Sequence, residues 1–262
     1  MSDATVGAPT ALGWRARAGA AAQIAIVVAG TYALVGVVEH FGLGAGDVRR
    51  SLLAHVAIIG GGALVLVALA LAHTPNRLHA LGLGRRGVAF VLGTGLLGAC
   101  ATYAIQAVAV VLIVTATGGL ATQTGMAEQK VKAFNAFASV PLWQIAPLAL
   151  GAGFYEEVVF RGFLLGRLHV VLGSAQSPRR TQVLAVALSS ALFGAGHLYQ
   201  GGLGVAQTFI AGACLATIVI VTRSLWPAIV AHALIDGFGL VAVRYLAPAA
   251  EKALEHLQNA PR

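Results

Sequence analysis

Charge is what this chain has least of. Charged residues make up 10% of its 262, only nine of them acidic, while 58% are apolar and mean hydropathy is +0.83. An ordinary soluble domain carries about a quarter charged residues, so that class is excluded. Only two cysteines occur, Cys100 and Cys214, both in apolar stretches without ligand-like spacing. Neither a disulfide framework nor a cysteine metal site is indicated. HExxH is absent, and no internal repeat or soluble domain is visible. The net charge of +8 could suit nucleic acid. Its distribution argues otherwise, because the basic residues cluster between apolar runs: Arg15/Arg17, Arg49/Arg50, Arg77/Arg85/Arg86, Lys130/Lys132 and Arg179/Arg180. That is the spacing of loop charges meeting lipid headgroups, so membrane lipid is the expected partner and nucleic acid is not.

What is there instead is apolar length. Candidate spans fall at roughly 19–38, 53–72, 88–115, 142–165, 182–200, 204–222 and 225–246, each near the ~20 residues that cross ~30 Å of hydrocarbon. The expected fold is all-α, a polytopic membrane bundle of about seven or eight transmembrane helices. The eighth would come from a break in the long third run. The first run is too long for a signal-peptide core and reads as a retained span. The linker 116–140 carries Val131, Phe134, Phe137 and Val140 at helical spacing, which suits an interfacial amphipathic helix as well as a plain loop. With the N-terminus inside, inner loops hold nine basic residues against seven outside, a thin margin for that orientation.

Three of the nine acids lie inside these spans. Glu156 and Glu157 are adjacent in 141–166, with Arg161 behind them, and Asp236 follows His232 in 225–246. A charge near the bilayer centre costs about 2.5–3.5 kcal/mol on insertion scales, so such groups are usually paired and functional. Glu157 and Arg161 are i and i+4 and can pair, while Glu156 is turned by ~100° and free to face a cavity. A buried Glu–Arg pair that merely ties helices together would explain one acid and not the second. His197 ends a helical stretch with Phe193 one turn earlier, a place where a histidine is often only structural. His232 and Asp236 are i and i+4, so the acid can orient the imidazole, or both can reach one cavity. Acids, imidazoles and a guanidinium on three late spans together point to acid–base chemistry in a wet cavity.

The ordered set Glu156-Glu157-x-x-x-Arg161, Phe193-x-x-x-His197 and His232-x-x-x-Asp236 resembles the motifs EExxxR, FxxxH and HxxxN/D. These belong to the CPBP family of intramembrane glutamic endopeptidases: CAAX proteases and bacteriocin-processing, Abi- and Rce1-like relatives. The resemblance implies a hydrolase in which Glu156 is the base activating water and His197 shares that water. Glu157 and Arg161 form a supporting pair beside Phe193, and His232 and Asp236 lie near the developing oxyanion. It implies a core at 141–246, preceded by transmembrane helices and an interfacial linker at 1–140 and followed by a polar tail at 247–262. The partner would be a membrane-associated peptide or protein, with lipidated and unlipidated substrates both open. The setting would be a bacterial plasma membrane.

Asp236 departs from the prenyl-protein proteases, where Asn is typical: an amide can donate to an oxyanion, whereas an ionised carboxylate only accepts. Two histidines and up to three carboxylates could also hold Zn²⁺, although the resemblance favours a metal-free mechanism with no cofactor. A proton-coupled transporter using the acids as a relay, or a non-catalytic scaffold or immunity protein, are the competing classes. Depth supplies one further test. At 1.5 Å per residue Glu156 lies ~16 Å from Arg167 and His232 ~13 Å from Arg223, but His197 lies ~26 Å from Arg180. Either helix 182–197 projects beyond the membrane at its start, or the charge-free turn 198–204 is sunk into the bundle, or each holds in part.

Overall fold

The computed structural model describes residues 13–41, 48–116, 137–173 and 177–259. Among these the regular elements are helices, with no strand. They run α1 (Trp14–His40), α2 (Val48–His55), α3 (Gly61–Ala70), α4 (Arg77–Ala80), α5 (Val88–Ala116), α6 (Leu142–Glu157), α7 (Leu165–Leu172), α8 (Pro178–Ala195), α9 (Gly201–Thr222) and α10 (Trp226–Asn259). A π-helical turn, Val56–Gly60, joins α2 to α3, and a second, Val158–Leu164, joins α6 to α7. The all-α bundle expected from the apolar runs is the observed fold, and all seven runs are helical.

Among the described residues, five helical stretches are long and apolar enough to cross a membrane by length and composition: Trp14–Val38, Leu52–Ala70, Val88–Ala116, Leu198–Thr222 and Trp226–Leu246. The other two expected spans carry Glu156, Glu157 and Arg161, or begin Pro178-Arg179-Arg180. With its apolar helices this is an integral membrane protein. Large apolar side chains such as Val65, Leu69, Leu97, Val108 and Leu112 are more than half exposed, as a surface solvated by hydrocarbon requires.

One expectation changes: the third run is one unbroken helix, α5, so no eighth span arises there. Most of the 116–140 linker, with Val131 and Phe134, lies outside the described residues. At its end Val140 is buried, and Phe137 packs with it against Ile145 and Leu148. The last helix runs without a break past Leu246 to Asn259, because Ala, Glu, Lys and Leu dominate the stretch and favour helix.

The core is built where α6 and its π-helical turn meet α1, α3, α8 and α9, around Val27, Ala63, Phe163, Leu164, Ala185 and Ala216. α10 packs along α5 and α6, and α8 along α9. The start of α8 lies beyond the starts of the neighbouring helices, in line with the first of the two readings of the depth conflict. Gly162 packs on Leu81 and Leu225, where the neighbouring helices start, and the eight residues of α7 continue ~12 Å farther. Thr181 Oγ1 donates to Leu172 O (3.4 Å), placing the start of α8 beside the end of α7. α8 therefore begins well below the site, and its far end reaches it.

Candidate active site

α6 delivers the two acids at its last turn, and the π-helical turn that follows carries Arg161. Glu157 is fully buried, and its Oε1 accepts from Arg161 Nη1 at 2.6 Å, the i, i+4 pair read from the sequence. The same oxygen is 2.8 Å from His232 Nδ1, on α10. A carboxylate only accepts, so Nδ1 carries the proton of that bond. The ring is thereby oriented from another helix rather than by Asp236, one turn along its own. Asp236 approaches the opposite nitrogen, with Oδ2 3.5 Å from Nε2, and Glu156 Oε2 is 3.8 Å from that nitrogen. One buried imidazole thus has carboxylates at both ends.

Burial grades across the cluster. The side chains of Glu157, Arg161 and His232 are 0%, 1% and 6% exposed, Glu156 13% and Asp236 35%. The structural pair is sealed, and the two carboxylates at Nε2 lie on the more open side. Glu156 Oε1 accepts from the Tyr155 hydroxyl at 2.9 Å, a partner that sequence reasoning missed. A tyrosine in an apolar helix carries no signal that separates it from ordinary packing.

Phe193 is the hub of the remaining contacts. The Arg161 guanidinium carbon lies 4.1 Å from its ring centroid, close enough for a cation–π interaction. His232 and Phe160 meet the ring edge-on at 5.7 and 5.1 Å, and His197 lies tilted against it at 5.0 Å. His197 Nδ1 donates to the Phe193 carbonyl at 2.9 Å, so its Nε2 is the nitrogen left for other work. The histidine expected to be at least structural is therefore anchored to the same phenylalanine that packs on His232. All seven residues singled out in the sequence are brought into one connected set.

Arg161 Nε and Nη2, Glu157 Oε2 and Ser190 Oγ are buried without a protein hydrogen-bond partner. Such groups are normally satisfied by ordered water. Gly212 of α9 makes room for the guanidinium, since a Cβ there would stand 3.2 Å from Nη2 and 3.1 Å from Ser190 Cβ. No group of three or more His, Cys, Asp or Glu side chains among the described residues is placed to hold a metal ion.

Residues 138–238 match the family model described as type II CAAX prenyl endopeptidase Rce1-like. No curated protein and no solved structure matches the chain. The matched segment runs from the buried end of the linker to the middle of α10 and contains all seven site residues. The family resemblance carried by the three motifs agrees with this match, and over residues 138–238 the chain is similar to the Rce1-like type II CAAX prenyl endopeptidases.

Proposed function

We propose that this protein is an intramembrane endopeptidase that cleaves a membrane-associated peptide or protein with water activated by Glu156. The observation that carries the reading is the grouping of Glu156, Asp236 and Glu157 about His232, inside a chain whose exterior is apolar. Glu156 Oε2 takes a proton as the water oxygen bonds to the peptide carbonyl carbon. That proton passes to the departing amide nitrogen as the C–N bond breaks. His197, with Nδ1 committed to Phe193 O, offers Nε2 to the same water. An ionised Asp236 cannot donate to the developing oxyanion, so the donor on that side is His232, with Asp236 supporting its charge. Glu157 and Arg161 hold the imidazole in place. A CAAX-type, lipidated substrate is the specific form suggested by the description of the matched family.

The test is peptidase activity of the purified protein in liposomes, on lipidated and unlipidated peptide panels, with and without chelator. Glu156→Gln and His197→Ala should each lose about 10²–10⁴-fold in rate, the usual worth of a positioned acid–base group. Activity that survives chelation supports the metal-free form, and loss with chelator moves the reaction to a metal. Equal cleavage by wild type and both variants would falsify the assignment of the site.

A further inference from the structure

The helices before residue 138 lie outside the matched segment, yet one of them touches the residue beside the proposed base. Tyr155 immediately precedes Glu156, and its hydroxyl donates to Oε1 at 2.9 Å, leaving Oε2 as the oxygen turned toward His232. The hydroxyl can stand there only because its ring has a place to lie. A Cβ on Gly60 would come within 2.6 Å of Tyr155 Cδ1 and 2.9 Å of Cγ. Gly60 is buried and closes the π-helical turn Val56–Gly60. Gly151, one turn before Tyr155, meets the other end of that turn, where its Cβ would stand 2.7 Å from Val56 Cγ1. Two small residues, one on each helix, therefore let α6 back onto the π-helical turn and seat the phenol ring.

We infer that Tyr155 is a positioning residue for Glu156, seated by Gly60 of the N-terminal helices. The inference rests on the reading of Glu156 as base. A phenol O–H donated to a carboxylate is a charge-assisted hydrogen bond, short and directional. Here it fixes the plane of the carboxylate, so that the oxygen not bonded to Tyr155 is held toward His232. Without it the group turns freely, and small misplacements of a reacting group can cost up to about a hundredfold in rate. The groups about Glu156 in this arrangement are Tyr155 from its own helix, His232 with Asp236 from α10, and, within electrostatic reach, Arg161 and Tyr199.

Tyr155→Phe keeps the ring on Gly60 and removes only the donor. In liposomes, on a peptide cleaved by the wild type, its kcat should fall about ten- to hundredfold with KM little changed. Gly60→Val should displace the ring and produce the same kcat defect. The double variant should be no slower than Gly60→Val alone, since both changes remove one interaction. A readout independent of turnover is the rate at which dicyclohexylcarbodiimide, which attacks protonated carboxyls, labels Glu156, mapped by peptide mass. Labelling should rise severalfold in both single variants and be absent at residue 156 in Glu156→Gln. Monodisperse elution of Tyr155→Phe excludes misfolding as the cause. If Glu156→Gln is inactive while Tyr155→Phe matches wild type in kcat and labelling, the positioning role is overturned alone. If Glu156→Gln is active, the base reading falls, and the labelling rates still decide whether Tyr155 holds the carboxylate.

Discussion

Glu157 does two jobs with one oxygen, neutralising Arg161 and orienting His232, and the two can be separated. Removing one partner of a buried ion pair strands the other charge and costs about 3–5 kcal/mol, whereas replacing both by apolar groups is often neutral. Glu157→Ala should therefore destabilise the protein by about that amount in detergent unfolding titrations. Glu157→Ala combined with Arg161→Met should recover most of the stability. It should not recover peptidase activity, because His232 Nδ1 still lacks its acceptor. A double variant as unstable as the single one would contradict this account of the pair. The acids themselves were conspicuous in the sequence, since a carboxylate in an apolar run is rarely accidental. The bond from Glu157 to His232 was not, because 75 residues separate them and nothing local to either encodes it.

At the scale of elements, the π-helical turn Val158–Leu164 sits directly after the two acids, a placement common for such turns at functional sites. The Phe160 carbonyl within it accepts from the Leu165 N–H, five residues on, and also from Ser189 Oγ of α8 at 3.0 Å. That second bond ties α8, and with it Phe193 and His197, to the segment bearing Arg161. Ser189→Ala keeps the carbonyl satisfied by the backbone, so its cost should be about 0.5–1.5 kcal/mol in the same unfolding titration. A loss of several kcal/mol would show that Ser189 holds more than this contact. Helix positions were readable from apolar runs of the right length. The two π-helical turns were not, because one added residue in a turn leaves an apolar run apolar.

At the scale of the whole molecule, one end is basic, with no acidic counterpart among the described residues. Arg17 Nη2 donates to Gly173 O at 2.6 Å, Arg86 Nη2 to Arg223 O at 3.2 Å, and Leu225 N to Gly82 O at 2.9 Å. These bonds gather the start of α1 and the loops before α5, α8 and α10 at one end. Arg77, Arg85, Arg179 and Arg180 belong to the same segments. At the opposite end Arg244 Nη1 holds Val140 O at 2.7 Å. The positive-inside rule then predicts that the arginine-rich end faces the cytoplasm. In a background lacking Cys100 and Cys214, Arg85→Cys should react with a membrane-impermeant maleimide only in inside-out vesicles, and Lys252→Cys only in intact cells. The reverse pattern would invert the topology.

The sequence by itself determined the solvent this chain folds in, the number of its helical runs and the seven polar and aromatic side chains that the structure brings together. Each of those follows from the free energy of placing single residues in hydrocarbon, a property read one position at a time. Only the tertiary structure decided which carboxylate orients His232, that Phe193 carries both imidazoles and the guanidinium, and that Gly60 seats Tyr155 beside Glu156. Those are relations between helices, and helices in a membrane choose partners by shape and hydrogen bonding at contact distance. A composition profile along one strand of sequence does not contain that geometry.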